Sequence, residues 1–382
     1  QLDLNAILDH DIGKISGGEL QRVAIAACVL KKANVYFFDE PTSYLDIKQR
    51  LKVAAFIRSL ADEKTAVLVI EHDLIILDYL SDLIHLMYGK EGVYGVVSQV
   101  KATKGGINTY LEGFLKEENI RFRDYKIVFE QRPPDLFLKD HHLTTWEPIH
   151  EKLGSFTLDA DEGELQKHDV IGILGENGIG KTTFVKILAG EIKTKGTVKD
   201  LKIAYKPQYL EHKDELVLTA LAGAEKFEVQ LRPLKLKDLY EQKLSELSGG
   251  ELQRVSIART LCQEADLYLI DEPSAYLDVE QRLAVSKIIR EMMYAKGKAA
   301  LIVDHDLLFL DYLSKRLIVF SGKPAVHGRA QGPFSMIEGM NKFLKDLDIT
   351  FRRDEENGRP RANKPESQMD RKQKSEGKRY YT

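Results

Sequence analysis

A glycine-rich stretch in the second half of the sequence has the residues needed to hold a chain of phosphates. Gly175, Gly180, Lys181 and Thr182 match the pattern G-x-x-x-x-G-K-[ST] of a phosphate-binding loop. Glycines let successive backbone N–H groups turn toward an anion, while the lysine neutralises the β- and γ-phosphates and the threonine hydroxyl holds Mg²⁺. The alternative is a glycine turn with a solvated lysine.

The elements on either side of the loop favour phosphate binding. The apolar run from Val170 to Leu174 predicts a buried strand, and the periodic segment ending at Gly190 predicts a helix. The positive N-terminal end of that helix would face the same anion. The loop and the first helical turn also supply Asn177, Gly178 and Thr183 as predicted contacts of the nucleotide.

Two adjacent carboxylates follow a second apolar run. Leu267 to Ile270 predicts a buried strand, and Asp271 and Glu272 come directly after it. Parallel α/β sheets present ligand-binding groups at this end of their strands. Asp271 is predicted to hold Mg²⁺ through water, and Glu272 to orient or deprotonate an attacking water, a task suited to a partly desolvated carboxylate with a raised pKa. A solvated turn is the alternative for this pair.

Length and composition limit the classes of protein to which the chain can belong. With 382 residues, 43% hydrophobic and 30% charged, the chain is long enough for two or three globular domains. No apolar run approaches the roughly 20 residues of a membrane span, and no secretory signal is present, so we predict a cytoplasmic protein without a membrane partner. Cys28 and Cys262 lie in apolar helical patterns, which predicts two reduced, buried thiols rather than a disulfide or a metal site.

The chain also contains an internal repeat. Residues 17–41 recur without a gap as residues 249–273, with more than half of the positions identical. The segments TSYLD and SAYLD, and VLVIEHD and ALIVDHD, extend the match. We therefore predict two copies of one nucleotide-binding domain. No phosphate loop precedes Ser16, so the sequence is interpreted as a fragment that begins inside the first copy.

The repeated motif SGGELQR, at 16–22 and 248–254, resembles the signature of ATP-binding cassette proteins. The twin copies, the EPSAYLD segment and the RFRD and TFRRD segments resemble the ribosome-recycling ATPases also called RNase L inhibitors, and an archaeal member in particular. That family carries an N-terminal domain with two iron–sulfur clusters. This sequence lacks its cysteines, so those clusters are not expected in this fragment.

The resemblance implies an α/β fold of two cassettes with helical signature subdomains, the first incomplete, joined by a basic hinge. The predicted boundaries are 1–104 for the first cassette, 105–140 for the hinge, 141–330 for the second cassette and 331–382 for a second hinge segment and basic tail. The resemblance also implies that the chain binds ATP and hydrolyses it with Mg²⁺, as a clamp that splits ribosomes into subunits. The implied partners are the ribosome, chiefly its small subunit and ribosomal RNA, a termination or ribosome-rescue factor, and initiation factors.

The resemblance assigns further residues to the Lys181 site. Gln208 matches the family's Mg²⁺-sensing glutamine, and His305 would contact the γ-phosphate or fix the attacking water. Trp146 lies where the superfamily places an aromatic side chain that stacks on adenine. The alternatives are stacking by Phe156, no stacking by an aromatic side chain at all, and a core-packing role for Trp146.

In this superfamily ATP is held between the phosphate loop of one cassette and the signature of the other. Copy one is therefore expected to close the Lys181 site with Ser16, Gly17, Gly18 and Asp46. The second site keeps Glu40, His72, Ser248, Gly249 and Gly250 but has no phosphate loop in this sequence.

Two basic segments are open to more than one interpretation. The linker at 101–134 contains Arg121, Arg123 and Lys126 beside Phe122 and Tyr125, which is typical of RNA binding but equally of a hinge whose arginines pair with carboxylates. Past about Arg361 the polar composition predicts disorder or adhesion to a partner. The rival functions are the ATPase subunit of a membrane transporter, another soluble translation factor of the cassette type, and an inert scaffold.

Overall fold

The computed structural model describes residues 2–90, 93–129, 142–192, 194, 201–208 and 213–380. The chain divides into two units: unit 1 comprises Gln1–Pro134 and Leu347–Thr382, and unit 2 comprises Asp135–Asp346. Unit 2 is thus an insertion in the sequence of unit 1. Both units contain helices and parallel strands, so the predicted α/β class is confirmed. Cys28 and Cys262 are free thiols, but both are half-buried rather than buried as predicted.

The first part of unit 1 begins with alternating helices and strands, in the order helix, strand, helix, strand, helix. Its elements are α1 (Gly17–Val29), β1 (Val35–Asp39), α2 (Ile47–Arg58), β2 (Ala66–Ile70), α3 (Leu74–Leu80), β3 (Leu83–Ile84), β4 (Met87–Lys90), β5 (Tyr94–Val97), β6 (Lys101–Ala102), α4 (Thr103–Glu112), β7 (Phe114–Leu115) and β8 (Ile120–Arg121). Strands β1 and β2 pair in parallel, with Val35 opposite Ala66. One face of this pair is exposed, with Phe37 at 71%.

Unit 2 is built on a sheet of eight strands. Its elements are β9 (His142–Trp146), β10 (Ile149–Leu153), β11 (Phe156–Ala160), β12 (Gly163–Gln166), β13 (Val170–Leu174), α5 (Lys181–Leu188), β14 (Ile203–Lys206), α6 (Val217–Ala220), α7 (Glu228–Leu231), α8 (Gly249–Cys262), β15 (Leu267–Asp271), α9 (Val279–Lys296), β16 (Ala299–Val303), α10 (Leu307–Leu313), β17 (Arg316–Lys323), β18 (His327–Ser335) and α11 (Met336–Asp346). The strand order is β10-β11-β18-β17-β13-β16-β15-β14.

The strands at the centre of this sheet are parallel and continuously apolar. Strands β13, β15 and β16 are buried at every position, as expected for strands covered on both faces. Helix α5 contributes Phe184, Val185 and Leu188 to the core that packs against Leu269 and Leu301. The carboxyl ends of β13, β14, β15 and β16 therefore lie side by side, and the polar residues that follow them are brought together.

The last part of the chain folds with unit 1. It contains β19 (Phe351–Arg353), β20 (Pro360–Ala362), paired antiparallel, and α12 (Gln368–Ser375). Arg361 donates hydrogen bonds to both carboxylate oxygens of Asp78 on α3, at 2.6 and 2.8 Å, and Arg359 beside it is fully buried. The prediction of disorder past about Arg361 is wrong, because α12 lies there and its Asp370 is buried and accepts a hydrogen bond from the Thr350 hydroxyl at 2.7 Å. The alternative, adhesion of this segment to a partner, stays a prediction.

The predicted domain boundaries also differ from the two units. Residues 105–129 belong to unit 1 because α4 packs against α3, and residues 331–346 belong to unit 2 because β18 and α11 pack against β17. Positions 130–140 of the predicted hinge lie outside the described residues. Among the described residues, no helix combines the length and the apolar character needed to cross a membrane.

Candidate functional site

The loop between β13 and α5 has the conformation of a phosphate cradle. Gly178 and Gly180 have φ values of +74° and +92°, which side chains rarely adopt, and Gly180 is the N-cap of α5. A Cβ atom on Gly180 would lie 2.8 Å from the Phe156 ring. The Lys181 ammonium donates hydrogen bonds to the carbonyls of Gly175 and Glu176, at 2.9 and 2.6 Å, so it lies under the loop. The N–H groups at the start of α5 and this ammonium can bind the same anion.

Two oxygen-bearing side chains beside this loop, Thr182 and Asp271, could hold a cation. The Thr182 hydroxyl donates to Oδ2 of Asp271 at 2.7 Å. The other oxygen, Oδ1, is buried and has no hydrogen-bond partner among the described residues. Burial raises the pKa of Asp271, which a bound cation would oppose. A hydroxyl and a carboxylate suit Mg²⁺, which commonly takes one or two protein ligands and completes its shell with phosphate and water oxygens.

The protein itself offers few other side chains that could bind a metal at this site. Within the described ranges, no group of three or more His, Cys, Asp or Glu side chains is arranged to hold a metal. The residues therefore fit a cation that arrives with a phosphate ligand rather than a permanently bound metal.

Glu272 lies in a setting that suits proton transfer. Burial raises its pKa to about 7, with contributions from the negative charges of Asp271 and Asp304, against a side-chain hydrogen bond from Gln208. His305 Nε2 lies 3.6 Å from Glu272 Oε1. The structure thus brings together Gln208, Asp271, Glu272 and His305 at the ends of β14, β15 and β16, as the sequence predicted for one site. A carboxylate with this pKa can accept a proton near neutral pH.

The backbone of Glu272 is held in an unusual conformation. Its φ is +46°, in the left-handed region. Its N–H donates to the carbonyl of Val303 at 2.7 Å, and its own carbonyl accepts from Gln253 Nε2 at 2.6 Å. Glu40 in unit 1 repeats this arrangement with a φ of +43°, a hydrogen bond to Ile70 at 3.0 Å and one from Gln21 at 3.2 Å. Glu40 also lies 3.3 Å from His72.

Three residues near this site were not predicted from the sequence. Lys206 is fully buried, and burial lowers its pKa to about 8 against the attraction of nearby carboxylates. Asp304 accepts hydrogen bonds from Ser274, and burial raises its pKa. Gln253 belongs to the repeated motif, so its recurrence as Gln21 was a usable signal. Lys206 and Asp304 were adjacent to predicted residues, but their burial could not be read from the sequence.

The two signature segments are built alike. Ser16 and Ser248 cap α1 and α8 in capping boxes, and their hydroxyls donate to Glu19 and Glu251 at 2.7 and 2.6 Å. The second glycine of each signature meets the backbone of the YLD segment. A Cβ atom would lie 3.0 Å from the Tyr44 carbonyl at Gly18 and 2.8 Å from the Tyr276 carbonyl at Gly250.

The first signature glycine faces the same tyrosine. At Gly17 and Gly249 a Cβ atom would approach the rings of Tyr44 and Tyr276. Asp46 is buried and caps α2 by accepting from the Gln49 N–H at 2.9 Å. The nucleotide contacts assigned to both signatures and to Asp46 stay predictions.

The adenine-stacking role predicted for Trp146 is contradicted by the structure. Its ring is 4% exposed, packs edge-on against Phe184 and leaves no room for a Cβ atom on Gly163. Its indole N–H donates to the carbonyl of Asp161 at 3.0 Å. The alternative named from the sequence, Phe156, is half-buried and lies beside Gly180 of the phosphate loop. It is therefore the better candidate for contact with a base.

The basic linker is only partly available to a partner. Arg123 is buried, donates to the Leu111 carbonyl and lies 4.9 Å from the centre of the Tyr110 ring. Its cation–π contacts give it a structural role within unit 1. Arg121, Tyr125 and Lys126 are exposed. Among the described basic and aromatic residues named for this linker, these three keep the RNA-binding interpretation open.

The replacement Glu272→Gln has an expected effect on stability. The pKa of this carboxyl rises from its ordinary 4.5 to about 7 on folding. At pH values between these two pKa values, the Glu272 carboxyl is protonated in the folded chain and ionised in the unfolded chain. The free energy of unfolding therefore falls as the pH rises through this window, by about 3 kcal/mol. Glutamine does not ionise, so the melting temperature of the variant should exceed that of the wild type at about pH 8.

This difference in melting temperature should shrink as the pH is lowered to about 5. Thermal unfolding followed by circular dichroism across that range measures it. A difference that does not change with pH would show that Glu272 does not titrate in this window.

The chain is similar to several known proteins. The family model described as ABC transporter matches residues 1–43 and 158–275. An uncharacterised ABC transporter ATP-binding protein of Methanocaldococcus jannaschii is 51% identical over 100% of this chain, which covers 65% of that protein. The chain thus spans about two thirds or slightly less of the curated relatives it matches.

Several solved structures match the whole chain, including the following two. One is the archaeal ribosome recycling factor aABCE1 in complex with the archaeal ribosomal stalk protein aP1, 53% identical, with a TM-score of 0.93 and coverage of 100% of this chain and 76% of the other. The second is a model of ribosome-bound archaeal Pelota and ABCE1, 54% identical, with a TM-score of 0.94 and coverage of 100% and 66%.

Proposed function

Because the chain belongs to the ABCE1 or RNase L inhibitor family of ATP-binding cassette proteins, we propose that it hydrolyses ATP with Mg²⁺ to split ribosomes into subunits. The observation that carries the ATPase part is the position of Thr182, Asp271 and Glu272 beside one phosphate loop. Phosphoryl transfer needs positioning and charge stabilisation, and these residues supply both.

Each residue has a defined task in the proposed reaction. Lys181 and the N-terminus of α5 bind the β- and γ-phosphates, and Thr182 and Asp271 hold Mg²⁺ with Gln208 beside them. The metal neutralises charge on the phosphates when it is bound. Glu272 accepts a proton from the attacking water, and His305 orients that water or contacts the γ-phosphate. Phe156 offers its ring to the adenine.

The ribosome enters as a proposal from the relatives. Two of them are a ribosome recycling factor in complex with a stalk protein and a protein bound to the ribosome with Pelota. We infer the same partners for this chain, chiefly the small subunit and a rescue or termination factor. Arg121, Tyr125 and Lys126 of unit 1 are an exposed group that could contact ribosomal RNA. Such contacts would weaken as the salt concentration is raised.

Sucrose-gradient sedimentation tests the ribosomal part of the proposal. The chain is incubated with 70S ribosomes, a rescue factor and ATP, and subunits are measured against a reaction with ADP. We expect free subunits in the reaction with ATP but not in the reaction with ADP. The chain itself should be recovered in the small-subunit fraction. Recovery of the chain with membranes and never with subunits would favour the transporter ATPase instead.

Ser16→Arg tests the cross-cassette closure that the resemblance predicts. The larger charged side chain should block closure, so steady-state hydrolysis should fall at least about tenfold while ATP binding to unit 2 persists. Loss of the N-cap itself costs only about 1 kcal/mol. Ser248→Arg is the matched control, because both serines cap equivalent helices but no phosphate loop precedes Ser16 in the sequence. Equal hydrolysis by both variants would contradict the sandwich arrangement.

A further inference from the structure

We infer that Lys206 is a positioning residue that fixes Gln208 and Glu272 relative to each other. This inference rests on the proposed ATPase function, because those two residues act in the proposed hydrolysis. Lys206 is the last residue of β14 and is fully buried. Its ammonium donates a hydrogen bond to the carbonyl of Asp271 at 2.9 Å and to the carbonyl of Pro207 at 3.1 Å.

The two carbonyls are those of the peptide groups directly before Glu272 and Gln208. A peptide group is planar, so holding its oxygen also fixes the orientation of the following residue's N–H. The same ammonium therefore restrains the backbone at both residues. Their side chains are joined by a hydrogen bond from Gln208 to the Glu272 carboxylate.

The position of Lys206 follows from the sheet. Strands β14 and β15 pair in parallel, with Lys206 opposite Ile270. Its side chain reaches one residue further, past the end of β15, to the carbonyl of Asp271. In this place the ammonium completes the support of Glu272, whose N–H is bound by Val303 and whose own carbonyl is bound by Gln253. All three hydrogen bonds hold a residue in the left-handed region that glutamate rarely occupies.

A purely structural role explains the burial of this charge less well. Transferring an ammonium group from water to a protein interior is costly unless it is well paired. Lys206 is surrounded by Asp271, Glu272 and Asp304, all of which attract its charge. An apolar side chain could fill the same volume, but it could not bind two carbonyls together. The lysine thus joins the segment that carries Gln208 to the segment that carries Glu272.

The test compares Lys206→Met, Lys206→Gln and Lys202→Met in the full chain. Methionine keeps the length and removes both hydrogen bonds, whereas glutamine can donate to one carbonyl. Lys202 is an exposed lysine just before the same strand and serves as the control. We expect kcat to fall about 10- to 100-fold in Lys206→Met, because small displacements of reacting groups have effects of this size. The KM for ATP should change less than about threefold, since both of these hydrogen bonds go to carbonyls outside the phosphate loop.

A double variant separates positioning from general damage. If Lys206 acts through Glu272, adding Lys206→Met to Glu272→Gln should lower the residual kcat no further. Lys206→Gln should fall between wild type and Lys206→Met, and it keeps the test usable if the methionine variant does not fold. A kcat within about twofold of wild type in a folded Lys206 variant would overturn the inference, as would additive losses in the double variant. Absence of hydrolysis by the wild type would instead refute the proposed function.

Discussion

Glu272→Gln is expected to lower ATP turnover by about 10²- to 10⁴-fold, the usual contribution of a general base. Glutamine keeps the size of the side chain and its hydrogen-bonding capacity, but it cannot take a proton from water. Lys181, Thr182 and Asp271 remain, so ATP should still bind and should accumulate unhydrolysed on the protein. Turnover is measured by phosphate release, and the retained nucleotide is identified by chromatography after rapid desalting.

Glu40→Gln is the matched control for this variant. Glu40 has the same left-handed backbone, the same hydrogen bond from a signature glutamine and the same neighbouring histidine as Glu272. No phosphate loop precedes it in the 382-residue sequence. Turnover by Glu40→Gln should therefore stay near that of the wild type. Unaltered turnover in Glu272→Gln would remove Glu272 from its proposed task.

Lys181→Ala is expected to abolish most nucleotide binding. The ammonium lies under the phosphate loop, and a hydrogen bond from a charged group contributes about 1.5–3 kcal/mol. The Kd for ATP should therefore rise about 10- to 100-fold. Hydrolysis should fall further, because charge on the transferring phosphate is greater in the transition state. Isothermal titration calorimetry with ATP and Mg²⁺ gives the Kd.

Lys186→Ala controls for the loss of one positive charge from the same helix. Lys186 lies in the last turn of α5, five residues after Lys181. Its replacement should change the Kd much less than that of Lys181. Equal effects of the two variants would mean that overall charge, rather than the position of Lys181, governs binding.

The sequence was informative where a residue type is required by geometry. Gly180 must adopt a positive φ at the start of α5, and the glycines at 18 and 250 must let a carbonyl approach, so their identity indicated their setting. The buried strands β13, β15 and β16 were readable as apolar runs. The family resemblance followed from the same motifs and is confirmed by the solved structures.

Other features depend on contacts between distant segments. Trp146 had the right position and chemistry for stacking, but its burial against Phe184 and Gly163 is set by the packing of β9 on β12. Lys206 is polar and ends an edge strand, which in sequence is typical of an exposed residue. The tail is rich in charge and poor in apolar residues, a composition that predicts disorder. Its order comes from Arg361 and Asp78, which are 283 residues apart.

The pairing of Arg361 with Asp78 has a consequence for synthesis. Unit 2 is continuous in sequence and can fold as soon as it leaves the ribosome, whereas unit 1 cannot acquire its final contacts until the segment after unit 2 has been translated. Nascent chains should therefore hold Asp78 without its cationic partners for most of translation. Premature termination after unit 2 would leave the first-made half of the protein unfinished, although every one of its early residues is present.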